Sequence, residues 1–240
     1  MLSEFFGIKK GDIVSITGSS GKTSLMFKLA REFEGLRVLV TTTTKIQKPA
    51  QFDHLYIGEG FAAQSGLTVI AEGETKDGKL YGYSPERLCE IAAMFDCCFI
   101  ESDGAAMKPL KAWNDYEPTV ISNTSKTIGV INVSCVGREI SEEFIHRKVL
   151  FAANFSHGDS VLSLDHLISA VAHKNGLFKN SVGKRMLFIN RVESALEEER
   201  AIKLADTLLS KHTDFLDTII YGSIKEDRFT KYTGRSSYEN

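Results

Sequence analysis

Cysteine is scarce in this 240-residue chain, with four residues at positions 89, 97, 98 and 135. None forms a C-x-x-C pair, so neither a zinc site nor a disulfide framework is indicated. Buried free thiols in a reducing cytoplasm are the expectation. The four prolines mark few boundaries. A net charge of −2 leaves no basic excess for nucleic acid or an anionic membrane surface. No apolar run approaches the ~20 residues of a membrane span. The opening "MLSEFFGIKKGD" has Glu4 early and no apolar core segment, so no signal peptide is expected. Repeats and low-complexity tracts are absent. What is present is ordinary for a globular protein, 42% hydrophobic and 25% charged. The length suffices for a sizeable core, and one α/β domain over residues 1–240 is expected.

The order of elements gives the fold class. "DIVSIT" is a short β-branched run that ends at glycines, as a buried strand does. Leu25, Met26, Leu29, Ala30 and Phe33 then recur at helical spacing, predicting a helix over 22–34. Gly35 closes it and "LRVLVT" supplies the next strand, completing a βαβ unit. Asp77-Gly78 signals a hairpin within an insertion over about 64–84. Ser84 and Pro85 predict the cap and first position of a helix, followed by the strand "CCFIES". "PTVIS", "TIGVINVS", "MLFIN" and "DTIIYGSI" read as further strands, with helices over 141–150, 161–173 and from "ESALEEER" onward. The polar stretch 228–240 reads as a frayed tail. The expectation is a mostly parallel sheet of P-loop NTPase type, flanked by helices, with a β-hairpin extension.

The junction of first strand and first helix carries the chemistry. "TGSSGKT" spans Thr17 to Thr23. It differs from the G-x-x-x-x-G-K-[ST] fingerprint by having Ile16 at the first glycine. Gly18, Ser19, Ser20, Gly21, Lys22, Thr23 and Ser24 still offer what a triphosphate needs: backbone amides at a helix N-terminus, a lysine, and a hydroxyl for Mg²⁺. The ATP-binding domains of Mur-type peptide ligases are similar in carrying T-G-x-x-G-K-T.

Other candidates cluster at strand ends, where parallel sheets place ligands. Glu101 and Asp103 follow "CCFI", so one is expected at the metal and the other near a nucleophile; which does which stays open. Lys22, Glu101 and Asp103 are the catalytic candidates. Thr42 and Thr43 offer hydroxyls to Mg²⁺ or its water, and Lys45, Lys108 and Lys111 offer charge to phosphates. His146-Arg147, expected near a helix end, offers an imidazole and a guanidinium. Asn190 and Glu193 in "NRVE" are reminiscent of the N-K-x-D guanine-reading motif, with Arg191 for Lys and Glu for Asp.

Taken together, "TGSSGKTSLM", "VLVTTTTKI", "ESDGAAMKPLKAW", "YEPTVI", the His146 "HR", "HKNGLFK" and "FINRVE" resemble the selenium-dependent hydroxylase accessory proteins, the YqeC family. The resemblance spans nearly the whole chain. It implies a P-loop protein linked to maturation of selenium-dependent molybdenum hydroxylases. The expected function is a Mg²⁺-dependent ATPase or GTPase, or a phosphoryl- or nucleotidyl-transfer enzyme, with such a hydroxylase or its cofactor as partner. A Mur-like ligase and a nucleotide-gated delivery module are the alternatives, and Arg191 and Glu193 leave ATP against GTP open.

Overall fold

The structure, a computed structural model, describes residues 1–156 and 158–234. Nine strands form its main sheet: β1 (Ile13–Gly18), β2 (Arg37–Thr42), β3 (His54–Ile57), β4 (Gly66–Ala71), β5 (Cys97–Glu101), β6 (Lys126–Asn132), β7 (Lys184–Asn190), β8 (Thr218–Ser223) and β9 (Arg228–Tyr232). Their spatial order is β9-β8-β7-β6-β1-β5-β2-β4-β3. Every neighbouring pair is parallel except β8 with β9. The principal helices are α1 (Lys22–Arg31), α2 (Pro85–Ala92), α3 (Leu164–Ala172) and α4 (Ala195–Lys211). This is the mostly parallel, P-loop NTPase-like α/β architecture the sequence predicts.

Strand periodicity divides the core into layers, because successive side chains leave opposite faces. Val38, Val40, Cys97, Phe99, Ile128, Val130, Met186 and Phe188 meet Leu25, Met26 and Leu29 of α1 on one face. Leu39, Cys98 and Ile100 meet Leu88, Ile91 and Ala92 of α2 on the other. Farther along that second face, Ile131, Leu187 and Ile189 pack under α3 and α4. Cys97 and Cys98 therefore point opposite ways. Burial pushes the Cys97 thiol up to about 11 and Cys135 up to about 12, so neither ionises near neutrality. Ser84 caps α2 by accepting the Arg87 N–H at 3.3 Å, and Ser194 caps α4 by accepting the Glu197 N–H at 3.3 Å.

Topology locates a crevice. After β1 the chain passes through α1 to β2 on one side, returns to β5, then crosses β1 to build β6, β7 and β8 outward on the other. Strand order thus reverses around β1, and the carboxyl ends of β1, β5 and β6 flank the switch point where such sheets bind ligands.

Four local expectations are revised. The hairpin does close at Asp77-Gly78, joining Gly73–Glu74 to Lys79–Tyr81. Gly66–Ala71, however, belongs to the main sheet as β4, and Lys79–Tyr81 also pairs with Lys45–Gln47. Residues 118–122 form no strand; Pro118 lacks the N–H a ladder requires. In place of a helix over 141–150, Ile145–His146 pairs in parallel with Leu110–Lys111, because Ile145 finds a buried apolar partner there. Only Lys148–Phe151 is α-helical, followed by a π-helical turn at Ala152–Ser156. Of the tail expected over 228–240, Arg228–Tyr232 is the antiparallel edge strand β9, and 235–240 lie outside the described residues. Among the described residues no helix is long and apolar enough to cross a membrane.

Candidate functional site

The loop between β1 and α1 is fixed by backbone geometry before any side chain acts. Gly18 has φ +102°, and a Cβ there would lie 2.1 Å from the Val130 carbonyl oxygen. Gly21 has φ +115°, and its Cβ would meet the Asn190 side-chain amide at 2.6 Å. Both positions demand glycine on conformation and on space. The Ser19 N–H donates to the Val130 carbonyl at 3.1 Å, tying the loop to β6. No side chain caps the N-terminus of α1. Its first amides have no intrahelical acceptor, and Ser20 to Ser24 line a cleft of about 870 Å³.

Lys22 is buried at the mouth of this loop. Its Nζ donates to the Gly18 carbonyl at 2.8 Å and lies 3.4 Å from Glu101 and 3.3 Å from Asp103. Burial opposes the ammonium, but the charges of Asp103 and Glu101 outweigh it and hold the pKa above the usual lysine value. The two acids do different work. Glu101 lines the cleft and accepts the Thr23 hydroxyl at 2.6 Å. Asp103 is wholly buried behind the loop; it accepts the Gly18 N–H on both oxygens (2.9 and 3.1 Å) and the Trp113 indole at 2.6 Å. Burial alone would raise its pKa, yet Lys111, Lys22, the Gly18 N–H and Trp113 hold it below the aspartate range.

A chain of alternating charge continues from Asp103 through Lys111 to the partly exposed Glu117 and Arg147. Lys111, fully buried, lies 3.2 Å from Asp103 and 2.8 Å from Glu117. Arg147 pairs with Glu117 at 2.5 Å. Burial pushes the Glu117 carboxyl up, but Arg147 and Lys111 outweigh it and keep it ionised. His146 is pushed down, first by burial and then by Arg147 and Lys111, so it is neutral at pH 7. With φ +60°, Arg147 begins the short Lys148–Phe151 helix, so it does not lie at a helix C-terminus as expected.

The candidates from sequence therefore separate. Ser20, Gly21, Lys22, Thr23, Ser24, Lys45, Glu101, Lys108 and Glu193 line one cleft. Gly18 and Ser19 shape it from behind, Ser19 through a 2.9 Å bond to the Pro109 carbonyl. Lys108 donates to the Glu142 carbonyl. Thr42 and Thr43 do not reach the cleft; their hydroxyls donate to the carbonyls of Glu101 and Thr119 at 2.8 and 2.9 Å. Asn190 braces the loop, its amide donating to the Ser20 carbonyl at 2.7 Å. Arg147 ends the charge chain at Glu117, and His146 lies beside it in the short strand pairing, its carbonyl accepting the Ala112 N–H at 3.0 Å. Missed from sequence were Trp113 and Glu117, which hold Asp103 and Lys111, and Asn132, which donates to the Ser20 hydroxyl at 3.1 Å. Of these only Asn132, at the end of β6, offered a strand-end signal.

Comparison with known proteins shows the family. The family model described as "YqeC protein" matches residues 14–149, which hold the loop, both acids and the charge chain. A curated relative from Escherichia coli (strain K12), "Uncharacterized protein YqeC", is 30% identical over 232 residues, covering 91% of this chain and 90% of its own. No solved structure matches. The match covers more than half of the chain and the relative nearly all of it, so the chain belongs to the YqeC family.

Proposed function

We propose that this protein is a Mg²⁺-dependent P-loop nucleotide-binding protein that hydrolyses ATP or GTP or transfers its phosphoryl or nucleotidyl group. The observation that carries this reading is the meeting, on one wall of the cleft, of the uncapped α1 N-terminus, Lys22 Nζ and the Thr23–Glu101 pair. Helix amides and an ammonium favour an anion there. Glu101 does not, and a triphosphate beside it requires a cation between them. Thr23 and Glu101 are hard oxygen donors at that place, the type Mg²⁺ takes when the remaining positions go to phosphates and water. Among the described residues no three His, Cys, Asp or Glu side chains assemble a protein-only cage, which suits this shared arrangement.

In this reading Thr23 and Glu101 hold the ion, which neutralises charge on the phosphates. Lys22 and the loop amides bind and orient the phosphate chain. Asp103 keeps the Gly18 amide and Lys22 in place from behind, a positioning role and not that of a base. A link to selenium-dependent molybdenum hydroxylases rests on the family resemblance. The test is hydrolysis of ATP and GTP, with and without Mg²⁺, by the native chain and by Lys22→Ala. Loss of turnover in the variant is expected. Equal turnover by both, or neither binding nor turnover of any nucleotide, overturns the proposal.

A further inference from the structure

We propose that the far end of the cleft selects guanine through the carboxylate of Glu193; this rests on the nucleotide reading above and narrows it to GTP. Asn190, at the end of β7, is a bracket between three elements. Its amide donates to the Ser20 carbonyl at 2.7 Å, and its carbonyl oxygen accepts the Ile224 N–H at 3.4 Å. The phosphate-side loop and the ends of β7 and β8 are therefore held at one spacing. Three residues on, Glu193 lines the same cleft as Lys22.

Glu193 is itself held. Its backbone N–H donates to Glu197 at 2.8 Å. The hydroxyl of Ser223, buried at the end of β8, accepts the Glu226 N–H at 3.2 Å and donates to Glu193 Oε1 at 3.1 Å. Arg191 at 3.4 Å and Lys225 at 3.5 Å flank the carboxylate. It is thus an oriented anion that only accepts hydrogen bonds: Oε1 takes Ser223 and, at 3.4 Å, Arg191, while Oε2 faces Lys225 at 3.5 Å, so a base edge would displace the two long cation contacts and leave the Ser223 bond in place. Guanine offers two neighbouring donors, N1–H and the 2-amino group, to such a carboxylate. Adenine offers there the N1 lone pair, which a carboxylate repels, and a C–H. A site built around two donors discriminates strongly against a base lacking them, so a preference for GTP over ATP of roughly 100-fold or more is expected.

The test is competition by GTP, ATP, inosine triphosphate and xanthosine triphosphate against a fluorescent nucleotide, with Mg²⁺, on the full native chain and on Glu193→Gln. GTP should win in the native protein, with inosine triphosphate intermediate because it lacks the 2-amino group. In E193Q the new amide can donate to the 2-carbonyl of xanthine, so preference should move to xanthosine triphosphate. Equal affinity for GTP and ATP in the native chain overturns the guanine assignment and leaves the phosphate site standing. Failure of every nucleotide to bind, or to raise the melting temperature, overturns the nucleotide reading and this one with it. The native-chain comparison decides the question even if E193Q folds poorly.

Discussion

Two buried ion clusters sit at opposite ends of the same central strands. At the amino end of β1 and β6, Asp12 accepts the Lys9 N–H at 2.8 Å, the Ser125 hydroxyl at 2.8 Å and Lys126 Nζ at 2.5 Å. At the carboxyl end, Lys22, Lys111 and Arg147 alternate with Glu101, Asp103 and Glu117. Both clusters balance their charges. Both hold aspartates below their ordinary pKa against the cost of burial. The difference is the opening. Asp12 and Lys126 are absent from the cleft wall, whereas Lys22 and Glu101 form part of it. An ammonium has three donors, and only at the carboxyl end can one turn to an incoming anion. Charge balance stabilises a fold; an exit from that balance makes a site.

Removing the lysine at each end gives the sharpest separation. Lys126→Ala should cost about 3–5 kcal/mol, because it strands a buried carboxylate. Urea melts would record that loss, and turnover per folded molecule should be unchanged. Lys22→Ala should lower nucleotide turnover by about 10²–10³-fold, the scale for losing one oriented electrostatic group. If Lys126→Ala abolished turnover in the folded fraction, the division between the ends would fail.

A gentler pair probes the hydrogen bonds around each aspartate. Trp113→Phe removes the indole donor from Asp103 and should cost about 1.5–3 kcal/mol, the range for a bond to a charged group. Because Asp103 holds the Gly18 amide, nucleotide binding should weaken as well. Ser125→Ala removes a donor from Asp12 and should lower stability by a similar amount with nucleotide affinity intact. Isothermal titration on both variants reads the contrast directly.

The carboxyl-end cluster also shows what local patterns reveal. Gly18, Gly21, Lys22 and Thr23 were legible because one short loop needs those residue types at that spacing. Glu101 was legible because a buried strand ends on it. Arg147 meets Glu117 across the pairing of Ile145–His146 with Leu110–Lys111, a tertiary contact with no local signature, and Trp113 and Glu117 sit in an irregular segment whose path no periodicity marks. The same contact replaced a helix that local propensity favoured over 141–150. Thr42 and Thr43 misled because a strand-end hydroxyl satisfies a neighbouring carbonyl as readily as a ligand. Gly66–Ala71 falls within the expected hairpin insertion because Asp77-Gly78 marks a turn without marking which strands it joins.

The smallest effect expected is in the response to acid. Asp12 and Asp103 both titrate lower in the folded chain than in the unfolded one, whose aspartates titrate near pH 3.9. Below about pH 5 the unfolded chain increasingly binds protons that the folded chain refuses, so stability is whole above that range and falls with pH. Asp12→Asn removes one such carboxyl. It should be less stable than the native chain at pH 7 and lose less on going to pH 4, so the two melting temperatures converge. Asp103→Asn should converge in the same way and, unlike Asp12→Asn, bind nucleotide weakly at every pH. Melting temperatures of Asp12→Asn and the native chain that fall in parallel with pH would show that the Asp12 charge contributes nothing to stability.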